Sequence, residues 1–307
     1  MSMPTRKLAH RAGIFLTVLG LAFFQQPAFA WGNDGHIYVN QVAAQRIPDS
    51  MPAFLRTRAA IARVAYLGPE PDRWRAASEF TLNNAQSPDH FIDLELVEFL
   101  GTLPSGRYEF YKLLYEKRAA TKGNPDTYLP ERVGLQPYIV IEIYQRLKIA
   151  FHEYRKMKEE GRPTVAIEQN IVFYAGWLGH YVADGSQPLH TTVNYDGWVE
   201  ANPDDFVTDR GIHRKFESDF VSRNISASSF SNLVGPPHSL ANPFVEYVKY
   251  LWASHALVTR VYELDKAQGF DGSGSPDSVK FTEQRLAAAA QMLLDLWYTA
   301  WVESAHM

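Results

Sequence analysis

The spacing of apolar residues is helical almost from end to end of the chain. Residues 37–47 carry apolar positions three and four apart and stop at Pro48, which cannot continue a helix. Across 138–158, Ile139, Ile141, Ile143, Leu147 and Phe151 punctuate a charged face. Residues 165–182 are strongly apolar, which predicts a buried central helix. Residues 212–221 predict a shorter amphipathic helix, and 243–264 and 278–302 two long closing helices, the second rich in Ala and Leu. The segments 68–89, 122–137, 187–210 and 269–276 hold Pro, Gly, Asp and other polar residues and predict irregular loops. There is no internal repeat, no dividing linker and no sustained alternation. The expected fold is one all-α domain with long functional loops.

The first thirty residues depart from that pattern. Arg6, Lys7 and Arg11 precede an apolar run over 12–24 and the small-x-small site Ala28-Phe29-Ala30, which together read as a secretory signal peptide. The run is too short to span a bilayer comfortably. Cleavage after Ala30 is expected, leaving residues 31–307 as a secreted or periplasmic domain that starts at Trp31. That length supports one substantial core.

Charge and cysteine content then narrow the chemistry. The net charge is −4, and losing the three basic residues of the leader takes it to −7. An acidic protein is a poor electrostatic sponge for nucleic acid or anionic lipid, so any phosphate must be captured locally, as by metal ions. An exported chain without cysteine has no disulfides to staple it, and ten histidines make metal ions the natural substitute.

The strongest local signal runs from Gly179 to His190. His180 and Asp184 are four apart on an apolar helix, so they share one face and point inward. Burying a carboxylate without a partner is costly, and a cation removes the cost. His190 follows a proline turn. His213 and Glu217 repeat the four-residue spacing, His90 lies in Pro88-Asp89-His90-Phe91-Ile92-Asp93, and Asp72 lies in a Gly- and Pro-rich stretch. Taken singly, each is more often a surface pair or a satisfied core histidine than a ligand; their conjunction points to metal. Nitrogen and oxygen ligands without thiolates suit zinc at a catalytic centre. His152, His238, His255 and His306 have no such carboxylate partner and are read as structural or surface residues.

With these motifs the chain resembles the zinc-dependent phospholipase C and S1/P1 nuclease superfamily. The resemblance implies an exported all-α phosphodiesterase with three zinc ions per chain. It also implies a mature chain beginning with tryptophan, whose free α-amino group and carbonyl oxygen chelate zinc. On this basis Trp31 and His36 are expected at one ion with Asp184 bridging, Asp72, His90 and His180 at a second that shares Asp184, and His190, His213 and Glu217 at a third. Trp31-Gly32-Asn33-Asp34-Gly35-His36 and Gln187-Pro188-Leu189-His190 are similar to the nuclease branch. His213-Arg214-Lys215-Phe216-Glu217 is similar to the phospholipase branch, and Ser218 stands where nucleases tend to carry asparagine.

The expected activity is cleavage of single-stranded nucleic acid by metal-activated hydroxide. Asp72 would orient or deprotonate the nucleophile, and Arg73 would help neutralise the phosphate. Phe91, Tyr195 and Trp198 would stack on a base or line a headgroup pocket. The alternatives are a phospholipase C acting on phospholipid headgroups and a catalytically inactive zinc-stabilised binding protein. The protein is expected to be a monomer with no obligate protein partner.

Overall fold

The computed structural model describes residues 31–77 and 79–307; the expected leader, 1–30, lies outside the described residues. These form an all-α domain without a strand, interrupted only by two isolated bridges, Ile92 to Gly134 and Tyr195 to Gly197. In chain order the helices are α1 (Gly32–Gln45), α2 (Arg58–Leu67), α3 (Glu70–Ala76), α4 (Phe80–Gln86), α5 (Arg107–Ala120), α6 (Pro130–Val133), α7 (Gln136–Glu159) and α8 (Val165–Ser186). There follow α9 (Ile212–Arg214), α10 (Val221–Asn224), α11 (Ala227–Phe230), α12 (Pro243–His255), α13 (Val258–Lys266) and α14 (Pro276–Glu303). No helix among the described residues is long and apolar enough to cross a membrane.

The expected central helix is α8, which α1, α2, α7, α12 and α14 surround. Its side chains Ile171, Ala175, Leu178 and Val182 are buried. Each large apolar side chain so removed from water contributes about 1.5–3 kcal/mol. The 138–158 and 278–302 patterns become α7 and α14, each extended by a few residues at its ends.

Several segments differ from the sequence expectation, and 122–137 holds a 3₁₀ turn (Pro125–Tyr128), α6 and the start of α7 where a loop is expected. The stretch 68–89 holds two short helices, because Pro69 and Pro71 sit where a first helical turn tolerates proline. Within α3, Arg73 pairs with Glu70 and Arg75 with Asp72, each at i,i+3. The single helix expected over 243–264 is split into α12 and α13 at Ala256-Leu257, where His255 Nδ1 turns onto Thr191 O at 2.9 Å. The helix expected at 212–221 is α-helical at its ends and π-helical over Lys215–Phe220.

Close approach of helices explains one glycine. A Cβ on Gly179 would fall on Asn40 Oδ1 and within 2.8 Å of Leu293 Cδ2. Asn40 is itself fixed, since its Nδ2 donates to Val64 O and Gly176 O at 2.9 Å each, tying α1 to α2 and α8. Gly179→Ala therefore has no room to relax. It is expected to lower unfolding free energy by about 2 kcal/mol or more, read as a shifted urea midpoint at unchanged slope.

Candidate metal centre

Eight buried side chains converge on one end of α8. The helix itself supplies His180 and Asp184, one turn apart on its inward face. His36 comes from α1 and Asp72 from α3, while His90 and His190 end the 3₁₀ turns Ser87–His90 and Pro188–His190. His213 and Glu217 come from the α9-to-π segment. All eight are at most 7% exposed.

Their ligand atoms fall into three groups: His36, His180 and Asp184; Asp72, His90 and His180; and His190, His213 and Glu217. In the first two, Asp184 Oδ1 is 3.4 Å from His36 Nε2, and Asp184 Oδ2 is 3.1 Å from His90 Nδ1 and 3.4 Å from His180 Nε2. Asp72 Oδ2 is 3.8 Å from His36 Nε2. In the third, His213 Nε2 is 2.9 Å from Glu217 Oε2 and 3.1 Å from His190 Nε2. Ligand atoms about 2.0–2.1 Å from a tetrahedral zinc stand about 3.3 Å from one another, close to this spacing.

The hydrogen bonds behind the rings decide which nitrogen faces inward. His180 Nδ1 donates to Gly68 O at 2.8 Å, His190 Nδ1 to His90 O at 2.7 Å, and His213 Nδ1 to Tyr195 O at 2.9 Å. A carbonyl oxygen only accepts, so Nδ1 carries the proton and Nε2 of the neutral ring presents a lone pair to the cluster. Gly68 is needed for its part, because a Cβ there would stand 2.6 Å from His36 O. His180 Nε2 turns its lone pair toward His90 Nδ1 at 3.0 Å, and the His190 and His213 Nε2 lone pairs meet at 3.1 Å. The second contact requires a cation between the two nitrogens, either a proton or a metal. Asp72 Oδ2, His90 Nε2, Asp184 Oδ1 and Glu217 Oε1 are buried without a hydrogen-bond partner. The donor set and its unsatisfied oxygens fit zinc.

Electrostatics separate the groups. Burial pushes Asp72 up to about 7 against the pull of Arg75, and pushes Asp184 well above the carboxylate range, aided by Asp72. Burial also holds His90 and His180 well below the usual imidazole range. In the third group burial opposes ionisation of Glu217, yet His213 and His190 outweigh it and bring the carboxyl down to about 2. His213 is raised in turn, because Glu217 outweighs its burial.

Trp31 is fully buried at the N-cap of α1 with left-handed φ of 47°. Its indole Nε1 donates to Ala183 O at 2.8 Å and Ser186 Oγ at 3.0 Å, and its backbone N–H donates to Glu217 Oε2 at 3.2 Å. The structure thus brings the Trp31 nitrogen to the third group, whereas the resemblance set it beside His36.

A cavity of about 530 Å³ opens onto His190 and His213, with Phe91, Tyr195, Arg75 and Asp93 on its walls. Arg73 is elsewhere: it donates to Glu70 Oε2 at 2.6 Å and Tyr66 O at 3.0 Å and lies over the Tyr66 ring. The arginine at Asp72 is Arg75, whose Nη2 donates to Asp72 Oδ1 at 3.0 Å. Trp198 packs on Phe206 and Tyr262, donates to Ala201 O and is half-buried away from the cavity. Asp93, Arg132 and Asp196 also line the cavity and carry no pattern in the sequence. Burial pushes Asp93 up to about 8, with Glu95 adding to it. Asp196 Oδ1 accepts Gly211 N–H at 2.7 Å and His213 N–H at 3.2 Å, fixing the start of the ligand-bearing helix.

No protein-family model and no curated protein matches this chain. Among solved structures, the chain is similar to the alpha-toxin of Clostridium perfringens from an avian strain. The two are 15% identical, with a TM-score of 0.42 over 91% of this chain. The match spans 65% of the alpha-toxin chain.

Proposed function

We propose that the protein is a zinc-dependent phosphodiester hydrolase with three ions per chain, acting on single-stranded nucleic acid after release of residues 1–30. One observation carries the metal-binding part: Nδ1-locked imidazoles turn their lone pairs toward one another around buried carboxylates. His36, Asp72, His90, His180 and Asp184 would hold two ions, and His190, His213 and Glu217 the third. Freed by cleavage after Ala30, the Trp31 α-amino group would join them. Zinc so held supplies Lewis acidity toward phosphoryl oxygens and lowers the pKa of water toward about 7.

The chain's own residues supply orientation and charge. His190 and His213 face the cavity, so the scissile phosphate approaches there. Arg75, tethered to Asp72, supplies the positive charge at that wall and takes the role first read for Arg73. Asp72 is held on one oxygen by Arg75 and offers the other inward, which suits a group that orients the attacking water. Phe91 and Tyr195 present aromatic faces for base stacking. Asp93, protonated near neutrality, can both donate to and accept from a base edge. Arg132 makes no ion pair among the described residues and is placed to meet a neighbouring phosphate.

The phospholipid reading has its own support: Phe80 is 77% exposed and Leu82 41% exposed on α4, which leads into Ser87 at the cavity. Zinc-loaded secreted protein assayed on single-stranded DNA, RNA and a phospholipid emulsion, with and without chelator, separates these. Chelator-sensitive cleavage of nucleic acid alone is the expected result. Cleavage of phospholipid alone would replace the substrate, and bound zinc without turnover on any ester would leave a zinc-stabilised binding protein. Intact mass of the same sample reads the amino terminus.

A further inference from the structure

We propose that Gln187 is a positioning residue for the third ligand group, holding Glu217 and the turn that carries His190 in one geometry. The inference rests on the metal-binding reading above. Gln187 is fully buried, three residues beyond Asp184, and caps the turn Pro188–His190. Its Oε1 accepts Leu189 N–H at 2.7 Å. A backbone N–H only donates, so the amide orientation is determined, and Nε2 points the other way. There it donates to Glu217 Oε2 at 3.2 Å.

That oxygen is the one nearest the imidazoles, 2.9 Å from His213 Nε2 and 3.6 Å from His190 Nε2. The terminal torsion of a glutamate is broad and nearly two-fold, so nothing intrinsic fixes which way the carboxylate plane faces. Besides the imidazoles, two donors fix it, the Gln187 amide and the Trp31 N–H, and both address Oε2. Oε1 is left buried with no hydrogen-bond partner. If cleavage turns the Trp31 nitrogen into an amine ligand, Gln187 remains as the amide donor on that oxygen. One side chain thereby couples the end of α8, the His190 turn and the Glu217 helix. In the sequence Gln187 stands out only as part of a motif, since its partner lies 30 residues away.

The test compares wild type, Gln187→Glu and Gln187→Met as zinc-loaded secreted chains. It measures zinc per chain and the affinity of each ion by chelator competition. Gln187→Glu keeps an acceptor for Leu189 N–H and removes the donor to Glu217, so a role limited to capping the turn would leave zinc binding unchanged. Both variants are expected to bind one ion roughly 10–100-fold more weakly, with the other ions unchanged. Wild-type or tighter affinity in Gln187→Glu overturns the proposal, as does equal weakening at every ion. Should Gln187→Glu fail to fold, wild-type affinity at that ion in Gln187→Met overturns the proposal, as does unfolding of both. A wild type that takes up no zinc would overturn the metal-binding reading instead.

Discussion

Replacing Asp184 by asparagine is expected to abolish hydrolysis and to empty two ligand groups at once, while leaving the metal-free fold as stable as before or more so. Asp184 is fully buried and uses both oxygens, Oδ1 toward His36 and Oδ2 toward His90 and His180. Asparagine keeps the volume and removes the charge. A neutral amide bridges cations poorly, so both sites that share this carboxylate should lose zinc, and turnover should fall by roughly 10³-fold or more. Without metal the sign reverses. The Asp184 carboxyl is then a buried acid forced well above its usual range, and exchanging it for a neutral group removes that burden. Zinc per chain falling from three to one, with an unchanged or raised melting temperature after chelation, is the expected pair of results. Full zinc content in Asp184→Asn would remove Asp184 from the ligand set. A collapse of the metal-free fold would make it a structural residue.

What could be read from the sequence follows the range over which each contact acts. His180 with Asp184 and His213 with Glu217 are i,i+4 pairs, and helical geometry alone puts each on one face. The second pair keeps that proximity although its backbone is π-helical over 215–220. The all-α class was legible for the same reason, since apolar spacing reports local geometry. Arg73 shows where local reading misleads. In a stretch taken as irregular, the neighbour of Asp72 is the natural partner. Once the stretch is α3, the adjacent residue projects about 100° away, and the residue three further on returns to the same face. That residue is Arg75. The cavity walls carry no i,i+4 signal beyond the ligands, although Phe91 and Tyr195 stand out as aromatics close to expected ligands. Phe91, Asp93 and Tyr195 are placed by a clamp of extended backbone, in which Ile92 N donates to His190 O and Leu94 N to Thr191 O. Those partners are about a hundred residues apart, so nothing in either segment alone announces them. Trp198, an aromatic on a polar loop, packs on Phe206 and Tyr262 and does not line the cavity.

Removing the metal is expected to lower the melting temperature by about 10 °C at pH 8, and by progressively less as the pH falls from 7 to 5. If free zinc exceeds its dissociation constant by roughly 10³-fold, binding adds about 4 kcal/mol, and a domain of this size converts that to about 10 °C. The pH dependence comes from the carboxylates. Asp72 has a folded pKa of about 7 without metal, above its ordinary 3.8, so its contribution to stability is fully present below the ordinary value. That contribution is lost as pH rises through 7, and Asp184, also raised by burial, acts in the same direction. Bound zinc keeps both acids ionised and paired, so the loaded chain does not suffer the loss. The gap between loaded and stripped protein therefore widens as pH rises toward 7. His90 and His180 add little proton competition, because burial already keeps them neutral in the folded chain. His213 does compete, since Glu217 raises its pKa and zinc must displace that proton at the third group. Calorimetric scans of loaded and chelator-treated protein at pH 5, 6, 7 and 8 read the gap directly. A gap that stays flat, or is largest at pH 5, would mean that neither Asp72 nor Asp184 gives up a proton to the metal.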